Sequence, residues 1–449
     1  MLKPRVTVVG SSFVGVTTAL ALAAHKVPST LLDIDTSKVE AIRAGKAPFK
    51  EPGVDAALRR GLKAKLLGAT ASPAEAFRAP THIFICVGTP PNADGSQDLS
   101  FVKVVCSSIG AELERRKSKE PVTVIVKSTV VPGTTAGVVR KALESASGMR
   151  AGKGFLLAAN PEFLKEGSAL EDALNPDRIV IGGFDEASRD SVAALFGWAT
   201  CPVVRTDLTT AEVVKYAANA FLATKISFAN EFANLCGALG VDWLTVADAI
   251  GADPRIGRKF LNAGVGFGGS CFPKDLKAIA AAARATGRPL TLAEAALEVN
   301  KRQPQEVTRM LEQELGDLSG KRVAILGLSF KPGTDDVRES RALLIAAEAA
   351  EGGAEVVGYD PLVRDEFALR LSVQDRANFR RAATIDEALK GADAVVVQHE
   401  SAEFGALDPA KLKRLMRRAV VVDGRRALDG AKFRKAGVAY RGIGAGRDG

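Results

Sequence analysis

Histidine is scarce in this chain. His25, His82 and His399 are its three, far apart in sequence, so no histidine-based metal cluster can be proposed and no metal is expected. Cysteine is thinly spread as well: Cys86, Cys106, Cys201, Cys236 and Cys271 show no CxxC spacing. An odd, scattered set fits reduced thiols better than a disulfide framework. No apolar run approaches the ~18 residues of a membrane helix. The opening MLKPRVTVVG already reads as a strand, which is taken to leave no room for a signal peptide. The expectation is a cytoplasmic protein without membrane contact. A basic-and-aromatic recognition motif is also lacking. The 61 Lys and Arg against 52 Asp and Glu, a formal charge of +9, therefore point to an acidic small-molecule ligand such as a phosphorylated cofactor and substrate, not to nucleic acid. The densest basic cluster, ELERRKSKEP at 112–121, reads as an exposed helix end and loop.

What is present is a large soluble composition, 47% hydrophobic and 25% charged, in a chain of 449 residues, long enough for two or three domains. RVTVVG, STLLDID, THIFICVG and VTVIVKST are short Val- and Ile-rich runs separated by Ala-rich stretches of helical period. That alternation predicts a parallel sheet with helices on both faces. KRVAILGLSF, EVVGYDP, ADAVVVQHE and AVVVDG repeat the plan near the C-terminus. The fold class expected is α/β, with two Rossmann-like doubly wound parallel-sheet domains joined by a long central helix. That helix is read from Asp207 to Gly240, with Gly237 and Gly240 marking its end. A second helical stretch is read from Pro273 towards Gln303, and homodimerisation through this region is expected. GAGRDG at the end reads as a loose tail.

One motif calls for chemistry: GVGFGGSCFPKD, Gly264 to Asp275. Glycines permit tight turns and close backbone approach, and Pro273 suits the first turn of a helix. Cys271 is therefore placed at a helix N-terminus, where the dipole and Lys274 favour a thiolate. A buried structural cysteine in a glycine-rich turn is the bland alternative. A second motif, GSSFVG, follows the first strand and opens a helix. It matches the dinucleotide fingerprint GxGxxG at Gly10 and Gly15, with Ser12 in place of the middle glycine and Phe13 and Val14 between. Asp33 closes the second strand, where a carboxylate accepts the ribose hydroxyls of NAD and repels the extra phosphate of NADP. NAD is the expected cofactor.

Several further strings, in order along the chain, resemble the nucleotide-sugar 6-dehydrogenases of the UDP-glucose/GDP-mannose dehydrogenase family: ICVGTP (85–90), KSTVVPGT (127–134), NPEFLKEG (160–167), VVKYAANAFLATKISFANE (213–231), DPRIGRKFLNAGVGFGGSCFPKD (253–275), LGLSFKPGTDDVRES (326–340), YDP (359–361) and VVDGRR (421–426). PEFLKEG and GSCFPKD resemble the UDP-glucose branch, with the GDP-mannose branch close behind. The resemblance implies an NAD-binding domain over 1–200, a helical linker and dimerisation domain carrying catalytic residues over 201–305, and a nucleotide-sugar domain over 306–449. It also implies a four-electron oxidation of a C6 alcohol to a carboxylate, UDP-glucose to UDP-glucuronate. An aldehyde cannot lose a second hydride until a nucleophile makes it tetrahedral, which gives Cys271 its purpose.

By the same resemblance Cys271 is the nucleophile. Lys215 and Asn219, four residues apart on one helix face, serve the C6 oxygen. Asp275 holds a water with Thr129 as its partner, and Glu162 is the base for thioester hydrolysis. Cofactor contacts carried over are Lys38, Gly88, Thr89, Pro90, Thr129, Glu166 and Lys274. Substrate contacts are Phe163, Leu164, Lys165, Lys215, Asn219, Phe260, Leu261, Asn262, Gly264, Phe267, Gly268, Phe272, Lys331 and Arg425. Arg255 resembles a residue reaching into the neighbouring subunit's site. Asp336, Arg338 and Glu339 read as a structural ion-pair network. His399 and Ser401 stand where many relatives have threonine and tryptophan. Two readings stay open beside this one: GDP-mannose as substrate, and a catalytically silent protein that binds NAD and a nucleotide sugar. A single-step hydroxyacid dehydrogenase would share the cofactor domain without needing the cysteine.

Overall fold

The structure, a computed structural model, describes residues 3–115 and 120–446. Residues 116–119, within the basic cluster, and 447–449, in the expected tail, lie outside it. The chain divides into two compact units between Ala218 and Asn219.

The first unit holds eight strands: β1 (Val6–Val9), β2 (Ser29–Leu32), β3 (Leu67–Thr70), β4 (His82–Ile85), β5 (Val122–Val126), β6 (Phe155–Ala159), β7 (Ile179–Gly183) and β8 (Val203–Asp207). Their order is β3-β2-β1-β4-β5-β6-β7-β8. All neighbouring pairs are parallel except β6 with β7. The four strands read from the sequence are there, and β3, β6, β7 and β8 extend the sheet on both sides. Period-two alternation explains why these runs are apolar throughout: Val8, Phe84 and Ile125 enter the core on one face of the sheet, and Val9, Ile83, Ile85, Val124 and Val126 the core on the other. Strand order reverses between β1 and β4, and ligand crevices form beyond the carboxyl ends of strands at such a point.

The second unit repeats the design with six strands: β9 (Arg322–Leu326), β10 (Glu355–Tyr359), β11 (Phe379–Arg381), β12 (Ala394–Val397), β13 (Val420–Asp423) and β14 (Ala439–Gly442). Their order is β11-β10-β9-β12-β13-β14, parallel throughout. Val323, Ile325 and Val396 face one core, and Ala324, Leu326, Val395 and Val397 the other. The reversal here lies between β9 and β12.

The long helix spans Leu208–Leu239, crossing the division of the chain. Gly240, at a φ of 73°, ends it, while Gly237 lies inside it. The stretch after Pro273 is two helices, Phe272–Ala285 and Thr291–Leu315. Gly287, at a φ of 72°, lies between them. The second helix runs past Gln303 and tolerates Pro304 within it.

In the second unit Trp243 is buried, and its indole N–H donates to the Leu261 carbonyl at 2.8 Å, pinning the glycine-rich loop from below. Trp243→Ala is expected to lower stability by about 3–5 kcal/mol, read from the urea midpoint.

Candidate active site

The glycines of the first loop are sterically required. Gly10 has a φ of 101°, and a Cβ there would lie 2.6 Å from the Cys86 carbonyl oxygen. A Cβ on Gly15 would fall 1.8 Å from the carbonyl oxygen of Gly10. Ser12 is the N-cap of the Phe13–Ala24 helix, and its side chain makes no capping bond. Asp33 ties the loop to β2, accepting from the Ser11 N–H at 2.7 Å and the Asp35 N–H at 3.0 Å. Phe13 packs on Phe49 and Val14 on the core, while Lys38 pairs loosely with Asp35 at 3.9 Å. After β4 a Cβ on Gly88 would meet nothing within 4 Å. The neighbouring Thr89 hydroxyl donates to the Thr129 carbonyl at 2.9 Å, and the Pro90 carbonyl accepts from Asp98. A helix N-terminus, a glycine cradle and a carboxylate at the end of β2 fit a dinucleotide.

Glu162, just beyond β6, is buried, and so is Lys215 of the long helix; Lys215 Nζ lies 2.9 Å from Glu162 Oε1. The other carboxylate oxygen accepts the Leu164 N–H at 2.6 Å. Burial pushes the Glu162 carboxyl up, but the Lys215 ammonium and the Leu164 N–H outweigh it and hold the group below the usual carboxylate range. The Phe163 ring lies between two cations, 5.5 Å from Lys215 Nζ and 3.8 Å from the Arg178 guanidinium. Lys165 pairs outward with Asp172 at 2.9 Å, and Glu166 is half-buried beside it. Thr129 and Lys215 line one small cavity.

The loop carrying Thr129 is held by residues that sequence reasoning missed. Gln97 donates to the Thr129 carbonyl at 2.7 Å and accepts from the Val131 N–H at 3.0 Å. Buried Glu212, one turn before Lys215, accepts from the Gly133 N–H at 2.6 Å and the Thr135 N–H at 2.8 Å. These contacts join residues 32 to 79 positions apart, and no local pattern announces them.

In the second unit Cys271 is the N-cap of the Phe272–Ala285 helix, as its neighbours predict. It is half-buried, with its sulfur 3.6 Å from the Ser270 hydroxyl. One turn on, the Asp275 N–H donates to the Cys271 carbonyl. The buried Asp275 carboxylate accepts from Asn219 Nδ2 at 2.7 Å and also takes the Lys274 ammonium, so the charge of Lys274 is shared with it.

The glycine-rich loop rests on three further amides that the sequence did not single out. Asn230 accepts the Gly264 N–H at 2.8 Å, and Gln303 donates to the Gly264 carbonyl at 2.8 Å. Asn300 bonds both backbone groups of Phe267, at 2.7 and 2.9 Å. A Cβ on Gly268 would sit 2.3 Å from the Glu339 carbonyl oxygen. Phe260 is held at a φ of 67°, Asn262 accepts from Arg258, and the Phe267 and Phe272 rings meet edge to face at 5.9 Å. Arg425, on the loop after β13, donates to the Gly266 carbonyl at 2.7 Å. Lys331 lies over the Phe330 ring at 5.3 Å. Arg255 is exposed and paired with Asp253. Arg338 pairs with Asp336, whereas Glu339 pairs with Arg341 and Lys277. His399 is buried against Asp360 and Ser329, at 3.3 and 3.2 Å, and Ser401 caps a short helix.

The dinucleotide cradle of the first unit fits an NAD-dependent oxidoreductase. The NAD-binding domain of the UDP-glucose/GDP-mannose dehydrogenase family matches residues 4–199, its central domain 209–302 and its UDP-binding domain 324–430. The chain belongs to this family, and NAD is its cofactor. It is 42% identical to the UDP-glucose 6-dehydrogenase AglM of Haloferax volcanii over 444 residues, covering 98% of this chain and 100% of that one. It is 37% identical to the UDP-glucose 6-dehydrogenase TuaD of Bacillus subtilis over 440 residues, 98% and 93% of the two chains. Its fold matches the structure of a UDP-glucose dehydrogenase from Pyrobaculum islandicum with a TM-score of 0.90 and 39% identity, over 99% and 98% of the chains. No helix among the described residues is long and apolar enough to cross a membrane.

Glu212→Ala leaves two backbone N–H groups near the Thr129 loop without acceptors. The expected cost is about 1–3 kcal/mol for each donor that stays buried, with faster hydrogen exchange at Gly133 and Thr135. Glu212→Gln, which keeps one acceptor oxygen, is expected to lose less.

Proposed function

We propose that this protein oxidises UDP-glucose at C6 to UDP-glucuronate in two hydride transfers linked by a covalent thioester. The observation that carries the reading is Cys271 at the start of its helix, with Asp275 and Asn219 bonded to each other one turn away. A dehydrogenase making one hydride transfer has no use for a thiol there. Relatives named as UDP-glucose 6-dehydrogenases support the choice of sugar nucleotide.

Held at the Gly10–Gly15 turn and Asp33, NAD would supply the hydride acceptor for each oxidation at C6. Lys215 and Asn219 hold the C6 oxygen and stabilise its negative charge as it develops. The Cys271 thiolate adds to the aldehyde carbon, and the alkoxide of the resulting thiohemiacetal expels the second hydride, leaving a thioester. Glu162, already ionised, takes a proton from water as that water attacks the thioester. The products are the carboxylate and the free thiol. Asp275, with Thr129, relays protons through a held water. The loop from Phe260 to Gly268, with Phe163, Leu164, Lys165, Phe272, Lys331 and Arg425, positions the nucleotide sugar. Gly88, Thr89, Pro90, Lys38, Glu166 and Lys274 complete the cofactor contacts. The division at 1–200, 201–305 and 306–449 belongs to the same reading, as does a cytoplasmic location.

The working form is a homodimer. Phe221, Phe228, Phe232, Leu235 and Leu239 recur on one stripe of the long helix and are exposed. A second copy covers such a stripe, and Arg255, exposed here, then serves the partner's site.

Cys271→Ser is expected to lose at least about 1000-fold in overall turnover while still binding UDP-glucose and NAD in calorimetry. Full activity in that variant would sink the thioester route. Phe228→Asp combined with Leu235→Asp is expected to shift the light-scattering mass from dimer to monomer. A monomer already in the unaltered protein at micromolar concentration would refute the dimer.

A further inference from the structure

Lys127 is a lysine with no evident anion. It lies one residue past β5, with its Nζ 3.0 Å from Asn160 Oδ1 and 3.5 Å from the Asn160 carbonyl. Both acceptors are neutral, and no carboxylate lies within 4 Å of it among the described residues. A cation drawn away from water needs a counter-charge or a task.

The geometry shows what it adjoins. Asn160 directly follows β6, and its amide nitrogen donates to the Val180 carbonyl at 2.8 Å, so its oxygen is turned to Lys127. Two residues later comes Glu162. Lys127, Asn160 and Glu162 line one open cavity. Other ionisable groups around it are Lys215 from the long helix, Cys86 after β4, Arg178 over Phe163, and Asp172 and Asp177 at the rim. Asp172 is engaged by Lys165, and burial pushes the Cys86 thiol up to about 12, leaving it neutral. Burial also pulls the Lys127 ammonium down, with Glu162 opposing and Lys215 adding to the effect. Two cations thus stand near Glu162: Lys215, paired with it directly, and Lys127, bonded to Asn160 two residues before it.

We propose that Lys127 is a positioning residue of the reaction: through Asn160 it anchors the turn bearing Glu162, and it sets a second positive charge beside the Glu162–Lys215 pair. The inference rests on Glu162 being the base of thioester hydrolysis. It adds a second effect. With Glu162 neutralised by one lysine, the other leaves an excess positive charge, which a negative oxygen at C6 offsets in each tetrahedral state.

The sign of the pH effect follows. Hydrolysis requires Glu162 as carboxylate, so the rate falls as pH drops through its pKa. Removing the cation behind it raises that pKa and moves the acidic limb to higher pH. The test follows the hydrolysis step by pH-jump single turnover in Lys127→Gln, Lys127→Arg, Asn160→Asp and Glu162→Gln. In Lys127→Gln the limb is expected to rise by about one pH unit, with KM for UDP-glucose unchanged. Lys127→Arg, which restores the charge, is expected to bring the limb back. Asn160→Asp, which neutralises Lys127 from the other side, is expected to raise it, and it decides the matter if Lys127→Gln fails to fold. A limb unmoved in both Lys127→Gln and Asn160→Asp, while Glu162→Gln accumulates the thioester, overturns the role of Lys127 alone. Hydrolysis at the unaltered rate in Glu162→Gln overturns the reading of the base itself.

Discussion

The ion pair between Glu162 and Lys215 is the constraint from which the first unit's chemistry follows. Two buried charges 2.9 Å apart are costly to desolvate and rarely the most stable filling for a core. Such a pair is retained for what it does. It keeps a carboxylate ionised out of water, and it fixes the register of the long helix against the turn after β6. Glu212, one turn earlier on that helix, then reaches the Gly133 and Thr135 amides, and Tyr216 reaches Gln97. A slip of the helix by one residue would break all of these contacts at once.

The second unit treats its thiol differently. Cys271 is half-buried at the start of a helix, where the dipole favours an anion. The carboxylate one turn below it is occupied by Asn219 and Lys274, which holds Asp275 as an acceptor and fixes Asn219. Asn219 stands one turn beyond Lys215 on the same helix.

Much of this was legible in the sequence, for local reasons. Strand alternation, the Gly10 to Gly15 turn, the uninterrupted run from Asp207 and the Pro273 helix start all rest on neighbours in the chain. Resemblance to a known family then supplied roles that no local rule could assign to Lys215, Glu162 or Arg425. What stayed hidden depends on distance along the chain. Asn230, Asn300 and Gln303 support the glycine-rich loop from 34, 33 and 39 residues away. Asn160 meets Lys127 across 33 residues. A buried asparagine that braces a loop looks in sequence like any polar residue on a helix. The break at Gly287 was missed because Ala-rich helix continues on both sides of it.

The account depends on one chain carrying out both oxidations. The most direct measurement supplies limiting UDP-glucose and excess NAD to the purified protein and counts the NADH formed. Two NADH for each sugar, with UDP-glucuronate as the product, is the predicted result. One NADH for each sugar, with free aldehyde accumulating, would contradict the thioester route and leave Cys271 without a purpose.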